Sequence, residues 1–144
     1  SGRAYIADYW NGTIYTCNID VNGLLQNCSN TGNSSYAGLS NYPTGISFSS
    51  NRAYIADWYG YQLASCDIND SGDLVNCTVD IPTGSGRPEQ ITYRGGVLFA
   101  ASGSSGLLAC QINSSSGIIT SCAATPTTSA PTWNAGQVVF NPFQ

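Results

Sequence analysis

The apolar residues of this chain come in short bursts. Tyr5-Ile6-Ala7 is one. Thr13 to Asp20, with Ile14, Tyr15 and Ile19 as its apolar positions, is the next, then Leu24 to Cys28, then Gly45-Ile46-Ser47-Phe48. Runs this short are the mark of β-strands, and no stretch sustains the 3.6-residue apolar period of a helix. Gly, Asn, Ser and Pro fill the gaps, where turns need left-handed or pre-bent backbone. The pattern predicts an all-β protein of short strands.

The set repeats. Arg3-Ala4-Tyr5-Ile6-Ala7-Asp8 returns 49 residues later as Arg52-Ala53-Tyr54-Ile55-Ala56-Asp57. At the same offset Cys17 falls on Cys66, Gly23 on Gly72, Leu25 on Leu74, Asn27 on Asn76 and Cys28 on Cys77. A weaker third copy starts at Val97-Leu98-Phe99-Ala100 and carries Cys110 and Cys122, with Ala101 aligned to Asp8 and Asp57. Four strands in about 44–49 residues is the size of a propeller blade, whereas the rungs of a β-solenoid are usually shorter. The expected architecture is one array over residues 1–144, built of three four-stranded antiparallel propeller-type blades. Its repeats fall at approximately 3–51, 52–96 and 97–144.

The stretch AYIADYWNGTIYTCNIDVNG, taken with the pattern Pro43-x-Gly45-Ile46-x-Phe48, resembles the lactonase-like, YVTN-type β-propeller repeats of secreted proteins. The resemblance lies in the pattern and covers nearly the whole chain. It implies that Pro43-Thr44-Gly45-Ile46-Ser47-Phe48 is an innermost strand. The runs at Ala53 to Asp57, Gln62 to Ile68 and Leu74 to Cys77 then step outward from it. Complete propellers of this kind have more than three blades.

Composition sharpens the picture. Only 8% of the 144 residues are charged; there are four Arg, no Lys and no His, and the net charge is −4. So few cations leave no groove to track phosphates, so no nucleic-acid partner is expected. No run of 18 apolar residues exists, so no membrane insertion is expected. Ser, Thr and Asn number 19, 12 and 13 and stand in for charge as the source of solubility. Nine Tyr, four Phe and three Trp argue against disorder. The lack of an initiator Met or signal peptide suggests a processed product or a segment of something longer.

The cysteines fit hairpins. Cys17 and Cys28 are symmetric about Asn22-Gly23, the preferred pair for a two-residue type I′ turn, which would set Val21 opposite Leu24. Cys66 and Cys77 are symmetric about Ser71-Gly72. Cys110 and Cys122 centre on Ser116, giving a loop Ser115-Ser116-Gly117. Residues directly opposite lie within disulfide reach. Cys17–Cys28, Cys66–Cys77 and Cys110–Cys122 are the expected bridges, one per blade, which points to an extracellular setting, secreted or at the cell surface. With no CxxC and no His, no zinc site is expected.

Six Asn-x-Ser/Thr sequons, at Asn11, Asn27, Asn33, Asn69, Asn76 and Asn113, suggest N-glycosylation, the alternative being plain turn residues. The segment Thr125 to Thr132 suggests O-glycans or a bare connector.

The chain opens on a second strand of a blade, at Arg3, and closes on Gln137-Val138-Val139-Phe140, which aligns with innermost strands. A bare edge invites pairing. Val138, Val139 and Phe140 are therefore expected to complete the first blade of a neighbouring copy or repeat, in a closed ring, a helical filament or a longer array.

Catalytic chemistry looks sparse. Serines have no His to activate them, and no carboxylate pair suggests a cleft of the glycosidase kind. The segment Asp67 to Asp73 resembles the start of a calcium loop, but Thr78 stands at the twelfth position where a Glu is needed, so no metal or other cofactor is expected. Asp8-Tyr9-Trp10 and Asp57-Trp58-Tyr59 repeat an acid beside two aromatics. They fit either seams and subunit contacts or a sugar platform, with rings for stacking and carboxylates for hydroxyls. The expectation is a secreted structural repeat glycoprotein, not an enzyme, forming an oligomer or filament with other copies of itself. The alternative is a lectin-like carbohydrate-binding module.

Overall fold

The computed structural model describes residues 2–32, 42–84, 86–103 and 106–125. Its strands are β1 (Gly2–Asp8), β2 (Thr13–Ile19), β3 (Leu25–Gly32), β4 (Pro43–Phe48), β5 (Arg52–Asp57), β6 (Gln62–Ile68), β7 (Leu74–Pro82), β8 (Pro88–Arg94), β9 (Val97–Ser102), β10 (Gly106–Ile112) and β11 (Ile119–Ala124). They form three antiparallel meanders in chain order, β1-β2-β3, β4-β5-β6-β7 and β8-β9-β10-β11. The first sheet thus has three described strands rather than the expected four. The residues expected to supply another strand, Val138, Val139 and Phe140, lie outside the described residues, as do Asn33 and positions 126–132.

Alternation along the strands makes two apolar seams. β5 is buried on both sides, so consecutive residues serve different seams. Ala53 and Ile55 join Ala64, Cys66 and Leu74 against Ile14 of the first sheet, with Tyr5, Ile46 and Phe48 at the margin. Tyr54, Ala56 and Leu63 face the third sheet, meeting Ile91, Leu98, Ala100, Leu108, Cys110 and Ile119. Full burial of one such aliphatic side chain contributes about 1.5–3 kcal/mol. The leading strands of sheets two and three also touch through polar groups. Thr44 Oγ1 donates to the Pro88 carbonyl at 3.0 Å, and the Tyr93 amide donates to Ser47 Oγ at 2.9 Å. Gly45 permits this approach, since a Cβ there would stand 3.1 Å from Gln90 Cα.

The hairpin tips differ from the expected ones by one residue. In the first, the Asp20 amide donates to the Leu24 carbonyl at 2.9 Å, so the loop is Val21-Asn22-Gly23, and Val21 is not paired with Leu24. Asn69 and Asp73 close the second loop in the same way. In the third, Asn113 pairs with Ile118 around residues 114–117. The extra tip residue is cancelled by an extra residue in the outer strand. Asn27 and Asn76 sit at these bulges with φ of 49° and 50°, a region asparagine tolerates better than most side chains. The register is thereby restored for Cys17–Cys28 and Cys66–Cys77, and in the third sheet Thr120 is the additional residue before the Cys110–Cys122 pair. Each bridge spans 4.0 Å between Cα atoms.

Strand register also corrects one alignment. Asp8 pairs with Thr13, Asp57 with Gln62 and Ser102 with Gly106. Ser102, not Ala101, therefore occupies the place of the two aspartates, because Leu98 opposes Cys110 as Ala4 opposes Cys17 and Ala53 opposes Cys66.

Candidate interaction site

Two surfaces stand out, one on the face of the first sheet and one along the rim that the β1–β2 and β5–β6 loops share.

The face of the first sheet turned away from the second sheet is uncovered among the described residues. Ile6 is 41% exposed where its repeat mate Ile55 is fully buried, and Leu25 is 47% exposed where Leu74 is 3%. Val21 and Leu24 are exposed at the hairpin tip beside them. β1 pairs with β2 on one side and with no described strand on the other.

A recurring contact ties each sheet to the next. The Tyr5 hydroxyl donates to the carbonyl of Gly72, in the hairpin tip of the second sheet, at 2.7 Å. Arg3 lies across the same glycine, so that a Cβ added there would sit 2.5 Å from Arg3 Cδ. One sheet on, the Tyr54 hydroxyl donates to the Gly117 carbonyl at 3.0 Å, and Arg52 Nη1 donates to the Ser116 carbonyl at 3.0 Å. Arg52 is held in turn by Asp67 at 2.7 Å and Ser65 at 2.8 Å. Burial pushes the Tyr5 and Tyr54 phenols above their ordinary values, which keeps them as donors. Both receiving glycines have positive φ, 79° and 69°, and no side chain would leave room for the arginine stem. The equivalent Gly23, at φ 81°, has nothing within 4 Å of the place a Cβ would take.

The rim carries the aromatic residues singled out in the sequence, and the structure brings them together. Tyr9 is 5.2 Å from Trp10, 5.7 Å from Trp58 and 5.1 Å from Tyr42, which leads on to Tyr59 at 5.2 Å, all between ring centroids. Arg87 lies 3.8 Å above the Trp58 ring and donates through Nε to the Tyr61 hydroxyl at 2.9 Å. Tyr42, Tyr61 and Arg87 were missed in the sequence, since they precede or follow the repeated triplets and have no mates at the repeat offset. Trp10 is 86% exposed and Tyr59 is exposed, while Arg87 covers a face of Trp58.

The two acids are turned to local work. Asp8 accepts from the Asn11 side chain at 2.7 Å and from the Trp10 and Asn11 amides at 3.1 Å. These bonds, the Asn11 side chain first, hold its carboxyl below the ordinary value. Asp57 is buried and accepts from Gln62 Nε2 at 2.7 Å and from the Gly60 amide at 3.3 Å. Both carboxylates shape their own loops.

The described sequon asparagines are all exposed; Asn11, Asn69 and Asn113 build turns, and Asn27 and Asn76 sit at strand bulges. Asn69 Oδ1 accepts the Asp73 amide at 2.8 Å. Asn113 Oδ1 accepts the Ser115 and Ser116 amides at 3.0 Å. Asn76 donates to Asp67 at 3.1 Å. In the segment that resembled a calcium loop, Asn69 thus closes a hairpin and Asp67 pairs with Arg52.

Against known proteins, no family of related sequences matches the chain, and no curated protein matches it. Solved structures do. A chain of a nidogen/laminin complex superposes over 84% of this chain with a TM-score of 0.59 and 14% identity. A Lactobacillus plantarum protein does so over 85%, with a TM-score of 0.58 and 17% identity. The third, XC5397 from Xanthomonas campestris, a gluconolactonase, covers 79% with a TM-score of 0.52 and 20% identity. These are β-propeller-type proteins. The chain has a propeller-type fold.

It spans 42%, 37% and 35% of those chains, about two-fifths of their length. With three disulfides, the fold fits an extracellular β-propeller module. The expectation that the chain is not an enzyme is overturned. A gluconolactonase shares this fold, so the architecture is no ground for setting catalysis aside.

Proposed function

We propose that this chain is a secreted glycoprotein that builds an extracellular oligomer or filament from copies of itself, joined through the uncovered face of blade 1 (β1–β3). The observation that carries the reading is the contrast between Ile6 and Leu25, which are exposed, and Ile55 and Leu74, which are buried in the same positions one blade on. An apolar face that is a seam everywhere else in the array is a seam here too. β1 pairs with no described strand on its outer side and adds hydrogen-bonding groups to that face. Val138-Val139-Phe140 of a neighbouring copy is the strand that this reading pairs there. Glycans on the exposed sequons Asn11, Asn27, Asn69, Asn76 and Asn113 keep the nearly uncharged outer surfaces soluble while the blade-1 face associates.

The test is sedimentation and electron microscopy of the full chain. The wild type is expected to form concentration-dependent oligomers or fibres, and Ile6→Glu/Leu25→Glu to remain monomeric with an unchanged melting temperature. A wild type that stays monomeric throughout the concentration range overturns the reading. Intact mass before and after deglycosylation reads the occupancy of the sequons.

A second reading is supported by the continuous ring series on the rim: carbohydrate binding at Tyr9, Trp10, Tyr42 and Tyr59, with Trp10 as the open face for a sugar ring. Asp8 and Asp57 are occupied by their own loops, so stacking dominates in this reading. Specific signals on a glycan array that Trp10→Ala removes are the expected result, and signals that survive that change refute it.

A further inference from the structure

Two arginines of this fold are held in opposite ways. Arg52, in the Arg-x-Tyr grip that ties one sheet to the next, is closed: Nη1 donates to Asp67 and to the Ser116 carbonyl, and Nη2 to Ser65. Arg87, on the aromatic rim, is open. Its guanidinium carbon lies 3.8 Å from the centre of the Trp58 ring and 5.4 Å from that of Tyr61, and its Nε donates to the Tyr61 hydroxyl at 2.9 Å. Stacking and that one bond fix the plane of the group. Neither Nη1 nor Nη2 has a hydrogen-bond partner among the described residues, and no described carboxylate, that of nearby Glu89 included, forms an ion pair with it. Both amino groups are in reach of water.

The guanidinium amino groups form a flat fork that matches the two oxygens of a carboxylate. A fork already fixed in place loses little freedom on meeting such a partner. The acids of the rim do not compete for it, since Asp8 is tied to Asn11 and Asp57 to Gln62.

Rings lead from this fork to an open platform. Contacts of 3.8, 5.7 and 5.2 Å link Arg87 to Trp58, Trp58 to Tyr9 and Tyr9 to Trp10, whose ring is 86% exposed. A short chain of linked sugar rings can lie on Trp10 and reach Arg87. An acidic peptide would use the fork and leave the platform bare.

Resting on the carbohydrate reading above, we propose that the rim takes a carboxylate-bearing oligosaccharide, one that contains uronic acid. Arg87 holds the uronate carboxylate through Nη1 and Nη2, and Trp10 stacks on a neighbouring ring. Stacking makes the site one for sugars, and Arg87 makes it choose acidic sugars over neutral ones.

The experiment measures binding of the full chain to immobilised trimers of galacturonate and glucuronate, to their methyl esters, and to the neutral galactose and glucose trimers. The ester keeps the shape of the uronate and removes its charge. Wild type is expected to bind an acid roughly tenfold more tightly than its ester, the effect of a charge-assisted pair. Arg87→Gln is expected to bring that ratio close to one. Arg87→Lys, which keeps the charge and loses the fork, is expected to give an intermediate ratio and serves if the glutamine variant folds poorly. Trp10→Ala is expected to weaken acid and ester by the same factor. Melting curves confirm that each variant is folded.

An acid preference that Arg87→Gln removes supports the proposal. Sugar binding that Trp10→Ala abolishes but that is equal for acid and ester overturns it and leaves the carbohydrate reading standing. A preference that survives Arg87→Gln also overturns it, since the charge would then be read elsewhere. So does a triglutamate peptide that binds as tightly as the uronates. Silence toward every trimer overturns the proposal and the carbohydrate reading together.

Discussion

Blade 1 and blade 2 (β4–β7) are written in nearly the same residues and live in different surroundings. Arg-Ala-Tyr-Ile-Ala-Asp opens the second strand of blade 2 and, 49 residues earlier, β1. Cysteines, hairpin glycine, outer leucine and bulge asparagine follow in the same order. Blade 2 lies between two neighbours, and its central strand is buried on both sides. Blade 1 has a neighbour on one side among the described residues, and its Ile6 and Leu25 face outward. The repeat encodes a seam-forming unit, and whether a given isoleucine is core or surface is decided by what stands beside the unit.

The comparison can be broken most sharply at the isoleucines. Ile55→Ala leaves a cavity between blades 1 and 2 and is expected to destabilise by about 2–5 kcal/mol in chemical denaturation. Ile6→Ala in the monomer is expected to change stability by less than about 1 kcal/mol, because the side chain is already partly in water. Equal losses would mean that the blade-1 face is covered in solution.

The hairpin glycines give the next effect. Gly72→Ala meets both the positive φ and the Arg3 side chain, whereas Gly23→Ala meets the φ alone. A left-handed alanine costs about 1–2 kcal/mol, so that is the expected loss at Gly23, with a larger one at Gly72. A thermal melt ranks them, and the reverse order would show that Arg3 yields freely.

The smallest effect is a pH dependence confined to the seams. The Tyr5 phenol is raised by burial, by the Asp73 charge to a lesser degree, and lowered by Arg3. Its folded value lies above its unfolded one. Its contribution is therefore fully present below the ordinary tyrosine range and fades as pH rises through the raised value. Tyr5→Phe is expected to flatten that alkaline decline in stability. Should the variant decline as steeply as wild type, Tyr5 is not the titrating group.

Much of this was legible in the chain. The 49-residue offset, the alternating runs and the symmetric cysteines carry the strands, the hairpins and the residues of the bridges, since all are local or periodic. The tips were off by one residue because a longer loop and a compensating bulge leave the cysteines' symmetry untouched. Only the left-handed Asn27 and Asn76 betray them, and asparagine there also reads as a sequon. The rim was half legible: the repeated triplets were visible, but Tyr42, Tyr61 and Arg87 reach it from outside those triplets. The Arg-x-Tyr grip was present as letters and invisible as a contact, for it joins residues 67 and 63 positions apart. The third copy, weakest in sequence, is where alignment slipped and where Ser102 rather than Ala101 proved to be the mate of the aspartates.

That grip always points from a blade to the one synthesised after it. A chain emerging N-terminus first can shape each meander on its own, yet the tyrosine hydroxyl lacks its carbonyl acceptor until the following hairpin has left the ribosome or the translocation pore. Seams must then mature in the order of translation, each closed by the arrival of its successor.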